Sequence, residues 1–78
     1  MKNVIVYSTP TCPWCTKAKS YLKSNDIEYV EKDVAQDQAA AQEMVEKSGQ
    51  RGVPVIDIEG EIIIGFDKET IDKSLGLN

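Results

Sequence analysis

Val4-Ile5-Val6-Tyr7-Ser8-Thr9-Pro10-Thr11-Cys12-Pro13-Trp14-Cys15 joins an apolar, β-branched run to a closely spaced pair of cysteines. Asn3 to Ser8 has the composition of a buried strand. Ser8-Thr9-Pro10-Thr11 reads as a loop. Pro13 suits the first turn of a helix, where its missing N–H is not needed. That helix extends to about Ser24, and Asn25-Asp26 ends it. Cys12 and Cys15 are the only cysteines, and the chain has no histidine. A Cys-x-x-Cys between a strand and a helix can close into a small disulfide and reopen, so thiol–disulfide exchange is the leading chemistry.

Helical register gives the two thiols different surroundings. Cys15, Ala18 and Leu22 fall at i, i+3 and i+7 and form an apolar stripe flanked by Tyr21. Cys15 is thereby turned inward, while Cys12 sits at the helix mouth. Unpaired N–H groups and the positive end of the helix dipole favour a thiolate there. The N–H groups of Trp14 and Cys15 can donate to the Cys12 sulfur. Pro13 cannot, but its ring holds the turn. Cys12 is therefore expected to attack a substrate disulfide, and Cys15 to resolve the mixed disulfide. The reaction needs no metal, flavin or nicotinamide in this chain.

Ile27 to Lys32 reads as a second strand, parallel to the first in a right-handed βαβ unit. Asp37 caps a helix running to Ser48 and stopped by Gly49, with Met44, Val45 and one or two alanines on its inner face. Val53 to Ile58 and Glu61 to Ile64 are two further strands around a Glu59-Gly60 hairpin turn. Asp67 can cap a last helix through Ile71 to Leu75. The order is β-α-β-α-β-β-α. It predicts an α/β fold with a four-stranded mixed sheet flanked by three helices, in one domain spanning residues 1–78.

At 78 residues the chain can bury only about 60–65% of its unfolded surface, so there is no room for a large cofactor pocket. The net charge of −4 argues against nucleic acid as a partner. No apolar stretch is long enough to span a membrane, and no charged, then apolar, leader is evident. The expected address is the reducing cytoplasm, and the expected state a monomer. Residues 1–25 hold Lys2, Lys17, Lys19 and Lys23 and no acid, whereas all 13 acids follow. Lys19 and Lys23 either solvate an exposed helix face or act on the thiols. Positive charge near a thiol favours the thiolate in both cases.

Two rival classes remain open. A single Cys-x-x-Cys is half of a zinc site, so a metal would need carboxylates or a second molecule. An iron–sulfur cluster bridged between two protomers is open by the same route. A non-catalytic adaptor would use the same surface without needing the thiols.

The strand and the Thr11-Cys12-Pro13-Trp14-Cys15 segment resemble the glutaredoxins, small members of the thioredoxin superfamily. Their usual active site is Cys-Pro-Tyr-Cys, and Trp14 replaces the tyrosine. Two further motifs match in order, Gly52-Val53-Pro54 and Gly65-Phe66-Asp67. The resemblance implies a thioredoxin-like fold and a cis Val53-Pro54 bond lying against the cysteines. It also implies a groove for glutathione or peptide built from Pro13, Trp14, Arg51, Val53, Pro54, Gly65, Phe66 and Asp67. Trp14 is either a rim aromatic for partner proteins or a cover over the disulfide. Asp67 doubles as an ordinary helix cap. Ile64 stands where the family often has a first glycine, and Lys68 replaces a second acid. The lysine common before the first cysteine is absent at Thr9 and Pro10, and Arg51 could supply charge from across the groove. The implied substrates are disulfide-containing or glutathionylated proteins. The implied reductant is glutathione or a thioredoxin-reductase-like flavoprotein.

Overall fold

The computed structural model describes residues 3–76, so Lys2 of the basic section lies outside the described residues. Its elements are β1 (Val4–Ser8), α1 (Pro13–Ser24), β2 (Val30–Asp33), α2 (Gln38–Ser48), β3 (Val55–Ile58), β4 (Glu61–Ile64) and α3 (Lys68–Leu75). The sheet order is β2-β1-β3-β4. β1 pairs parallel with β2 and antiparallel with β3, and β3 pairs antiparallel with β4. This is the expected mixed sheet, in the expected order.

Strand alternation sorts the core into two layers. Val4, Val6, Ile56, Ile58 and Ile63 face Ala18 and Leu22 of α1 and Ile71 of α3. On the other face, Tyr7 and Val55 meet Met44 of α2, with Val45 and Val53 packed beside them. Met44 and Ala40 are the buried residues of α2, as its periodicity predicts. At the hairpin, Glu59 and Gly60 both have positive φ, 52° and 92°. That is the type I′ geometry that follows the twist of the two strands. Asp57 steadies the turn by accepting the Gly60 N–H at 2.8 Å.

β2 begins later than expected, at Val30 instead of Ile27, and ends at Asp33. The end of α1 explains the late start. Asp26 adopts φ 59°, its N–H donates to the Lys23 carbonyl at 3.0 Å, and the Ile27 N–H donates to the Leu22 carbonyl at 2.9 Å. This is a Schellman closure with aspartate where glycine is usual. The Ile27 amide belongs to the helix, although its side chain still packs in the core with Tyr29. β3 likewise starts at Val55, two residues later than expected. Pro54 has no N–H to donate to a ladder.

The α2 face also carries a polar network around a buried phenol. The hydroxyl of fully buried Tyr7 donates to Glu43 and accepts from Lys47 Nζ at 2.9 Å. Lys47 reaches Asp57 at 2.7 Å, and Lys32 reaches Glu43 at 3.1 Å. Burial of a phenol is tolerated because both its donor and its acceptor capacity are used.

Candidate functional site

Cys12 is the N-cap of α1, with Pro13 in the first helical position. Its sulfur accepts the Cys15 backbone N–H at 3.1 Å and lies 3.9 Å from the Val53 carbonyl oxygen. One of the two amides expected to serve the sulfur, that of Cys15, therefore does. Thr9 closes the preceding loop, its carbonyl accepting the Cys12 N–H at 3.4 Å. Both cysteines are free thiols, Cys12 half-buried and Cys15 buried.

Cys15 has no exposed surface. Burial, with a hydrogen bond to Cys12 second, raises its thiol from 9.0 to about 11. At neutral pH it is protonated almost completely. The two thiols thus differ in access, as the helical register requires.

A shallow cleft of about 260 Å³ opens beside them, lined by Trp14, Val53, Pro54, Gly65 and Phe66. The Val53-Pro54 bond is cis. The Gly65 N–H donates to the Pro54 carbonyl at 2.8 Å, which ties the end of β4 to the cleft floor. Gly65 has φ 80°, a left-handed value that glycine adopts without penalty. Trp14 is 56% exposed, with Lys17 Nζ 4.7 Å from its ring centroid. It lines the cleft with much of its ring open to solvent. Phe66 is held edge-on to Tyr21 at 5.7 Å.

Asp67 caps α3, accepting the Thr70 N–H at 3.2 Å and the Thr70 hydroxyl at 2.8 Å. Those bonds hold its carboxyl below the ordinary range. Pro13 and Arg51 are exposed, and neither lines the cleft, so Arg51 lies farther out than the expected groove. Lys68 is paired with Asp72 at 2.8 Å and stacked over Tyr21, whose hydroxyl donates to Asp72. The i, i+4 spacing of Lys68 and Asp72 was a readable signal for that pair. A larger concavity of about 720 Å³ lies at the opposite pole, where β1 begins, and neither cysteine lines it. Among the described residues, no group of three or more cysteine, aspartate or glutamate side chains is arranged to hold a metal ion.

Comparison with known proteins agrees with this geometry. The family model described as glutaredoxin matches residues 4–63. A glutaredoxin-like 8.6 kDa protein in a rubredoxin operon of Clostridium pasteurianum is 57% identical over 68 residues, covering 87% of this chain and 91% of its own. Glutaredoxin 3 of Escherichia coli strain K12 is 37% identical, covering 86% of this chain and 81% of its own. Among solved structures, a variant of the thioredoxin-like protein BC3987 superposes over the whole of both chains with a TM-score of 0.92 at 35% identity. The fold is thioredoxin-like, and the family supports a thiol–disulfide oxidoreductase role. With a family match across most of its length and relatives of this identity, the chain belongs to the glutaredoxin family.

Proposed function

We propose that the protein is a dithiol thiol–disulfide oxidoreductase acting on protein disulfides and on protein–glutathione mixed disulfides. The Cys12 thiolate attacks one sulfur of the substrate disulfide, and the other sulfur leaves as a thiol after taking up a proton. Cys15 then loses its proton and attacks Cys12. The bond from Cys12 to the substrate breaks, and the Cys12–Cys15 disulfide forms. Two electrons pass from the dithiol to the substrate. The observation that carries this reading is the asymmetry of the pair. Cys12 is reachable at a helix mouth with an amide on its sulfur, and Cys15 is buried one turn inward.

Trp14, Val53, Pro54, Gly65 and Phe66 receive the substrate beside Cys12, with Pro13 shaping the turn and Asp67 holding the start of α3. Arg51 contributes charge from outside the cleft. The protein carries no bound cofactor, works as a monomer in the cytoplasm, and is recycled by glutathione or a thioredoxin-reductase-type flavoprotein. The two reductants are told apart by offering the oxidised protein each system separately and comparing reduction rates.

The roles of the thiols have a direct test. Cys15→Ser should keep deglutathionylation, which needs one thiol, and lose dithiol reduction of a protein disulfide. Equal loss of both activities would refute the assignment.

A further inference from the structure

Resolution by Cys15 poses a physical problem. Its thiol is fully buried, and burial disfavours the thiolate that must form before it can attack Cys12. A nearby cation would ease that step, and α1 provides one. Lys19 follows Cys15 by four residues, so the two share a helix face. The Lys19 side chain is 21% exposed and its ammonium is held 2.8 Å from Glu31 Oε2 on β2. Glu31 also accepts from the hydroxyl of buried Ser8 at 3.3 Å. The ammonium is therefore placed against the exposed side of β2.

We propose that Lys19 is a positioning residue for the resolving thiol: held by Glu31 one turn beyond Cys15, its ammonium stabilises the Cys15 thiolate as it forms. This inference rests on the dithiol reading above. In the step it serves, Cys15 gives its proton to water and attacks Cys12. The Cys12–substrate bond breaks, the Cys12–Cys15 bond forms, and the departing substrate sulfur takes a proton from water. No further oxidant or reductant is needed.

Ionisation of Cys15 is opposed by Cys12 and favoured by the Thr9 backbone and then by Lys19, four residues along α1. On the elements packed with α1, Lys68 and Asp72 of α3 are paired with each other, and Glu31 of β2 is paired with Lys19. Glu31 lowers the net field of the pair but sets where the positive end lies. The Lys19 charge responds in turn to Glu31 first, with Cys15 among the smaller contributors.

The test uses the full chain. In a Cys12→Ser background, the titration of Cys15 is followed by the NMR chemical shift of its Cβ. Lys19→Gln should raise that midpoint by about one unit, and Lys19→Arg should restore it. In the protein with both cysteines, an aromatic disulfide releases one coloured thiolate when Cys12 attacks and a second when Cys15 resolves. Lys19→Gln should slow the second release about threefold and leave the first unchanged, because a more basic thiolate is also a stronger nucleophile. Lys19→Met serves as a second neutral variant if Lys19→Gln folds poorly. An unmoved Cys15 midpoint, or equal slowing of both releases, overturns the proposal. The titration needs no turnover, so absence of dithiol reduction by the parent protein would refute the proposed function separately.

Discussion

At Trp14 the proposed substrate contact and the stability of the fold are separable. It is more than half exposed, it lines the cleft beside Val53 and Pro54, and Lys17 covers one face of its ring. Trp14→Ala should therefore change folding stability by about 0.5 kcal/mol or less, as exposed substitutions usually do. It should raise KM for a protein disulfide while leaving the rate of Cys12 alkylation by a small reagent unchanged. Chemical denaturation and steady-state kinetics check the two halves, and unchanged KM would remove Trp14 from the rim of the site. The different positions of Cys12 and Cys15 were legible from helical spacing alone, because i, i+3, i+7 periodicity is local. The Lys19–Glu31 pair was not, because its partners lie on separate elements that meet only after the βαβ crossover.

Among the elements, α2 shows how local signals and packing share the work. Asp37 accepts the Ala40 N–H at 3.1 Å at one end, and Gly49 closes the other with φ 74°. Both features were readable as a cap and a stop. Asp37→Ala should cost about 1 kcal/mol of stability, measurable by urea denaturation. Met44→Ala should cost more, about 2–5 kcal/mol, because Met44 is fully buried between Tyr7 and Val55. A smaller loss at Met44 than at Asp37 would show that cap and core have been weighed wrongly. The strand edges resisted reading for a different reason. The Ile27 amide is claimed by the Leu22 carbonyl, and Pro54 has no amide to give. In both places the residues have strand composition, and only the competition for backbone partners moves the boundary.

For the molecule as a whole, paired carboxylates should set the acid limit of stability. Hydrogen bonds from Tyr7 and then Lys32 lower the Glu43 carboxyl from 4.5 to about 2. Lysine pairing lowers Glu31 and Asp72 in the same direction. A carboxyl depressed in the folded state stabilises the fold above its unfolded pKa, and that contribution disappears as pH falls through the folded value. This contribution should therefore be steady above about pH 5 and decline from there toward about pH 2. Glu43→Gln should flatten part of that decline, which denaturation at a series of acidic pH values would reveal. A decline as steep in Glu43→Gln as in the parent protein would exclude Glu43 as a source.

The opening strand, the helix that begins at Pro13 and the inward turn of Cys15 follow from short-range rules of composition, capping and periodicity, and so does the order of the elements. The cleft does not. It needs Val53 brought to Cys12 from 41 residues away and Phe66 set by Tyr21 from a distant part of the chain. The Glu31 carboxylate that pairs with Lys19 likewise arrives by strand pairing. The Cys-x-x-Cys was thus visible as chemistry in the linear chain. Its environment depended on long-range packing, because burial and charge around a sulfur are properties of neighbours that the chain must fold to collect.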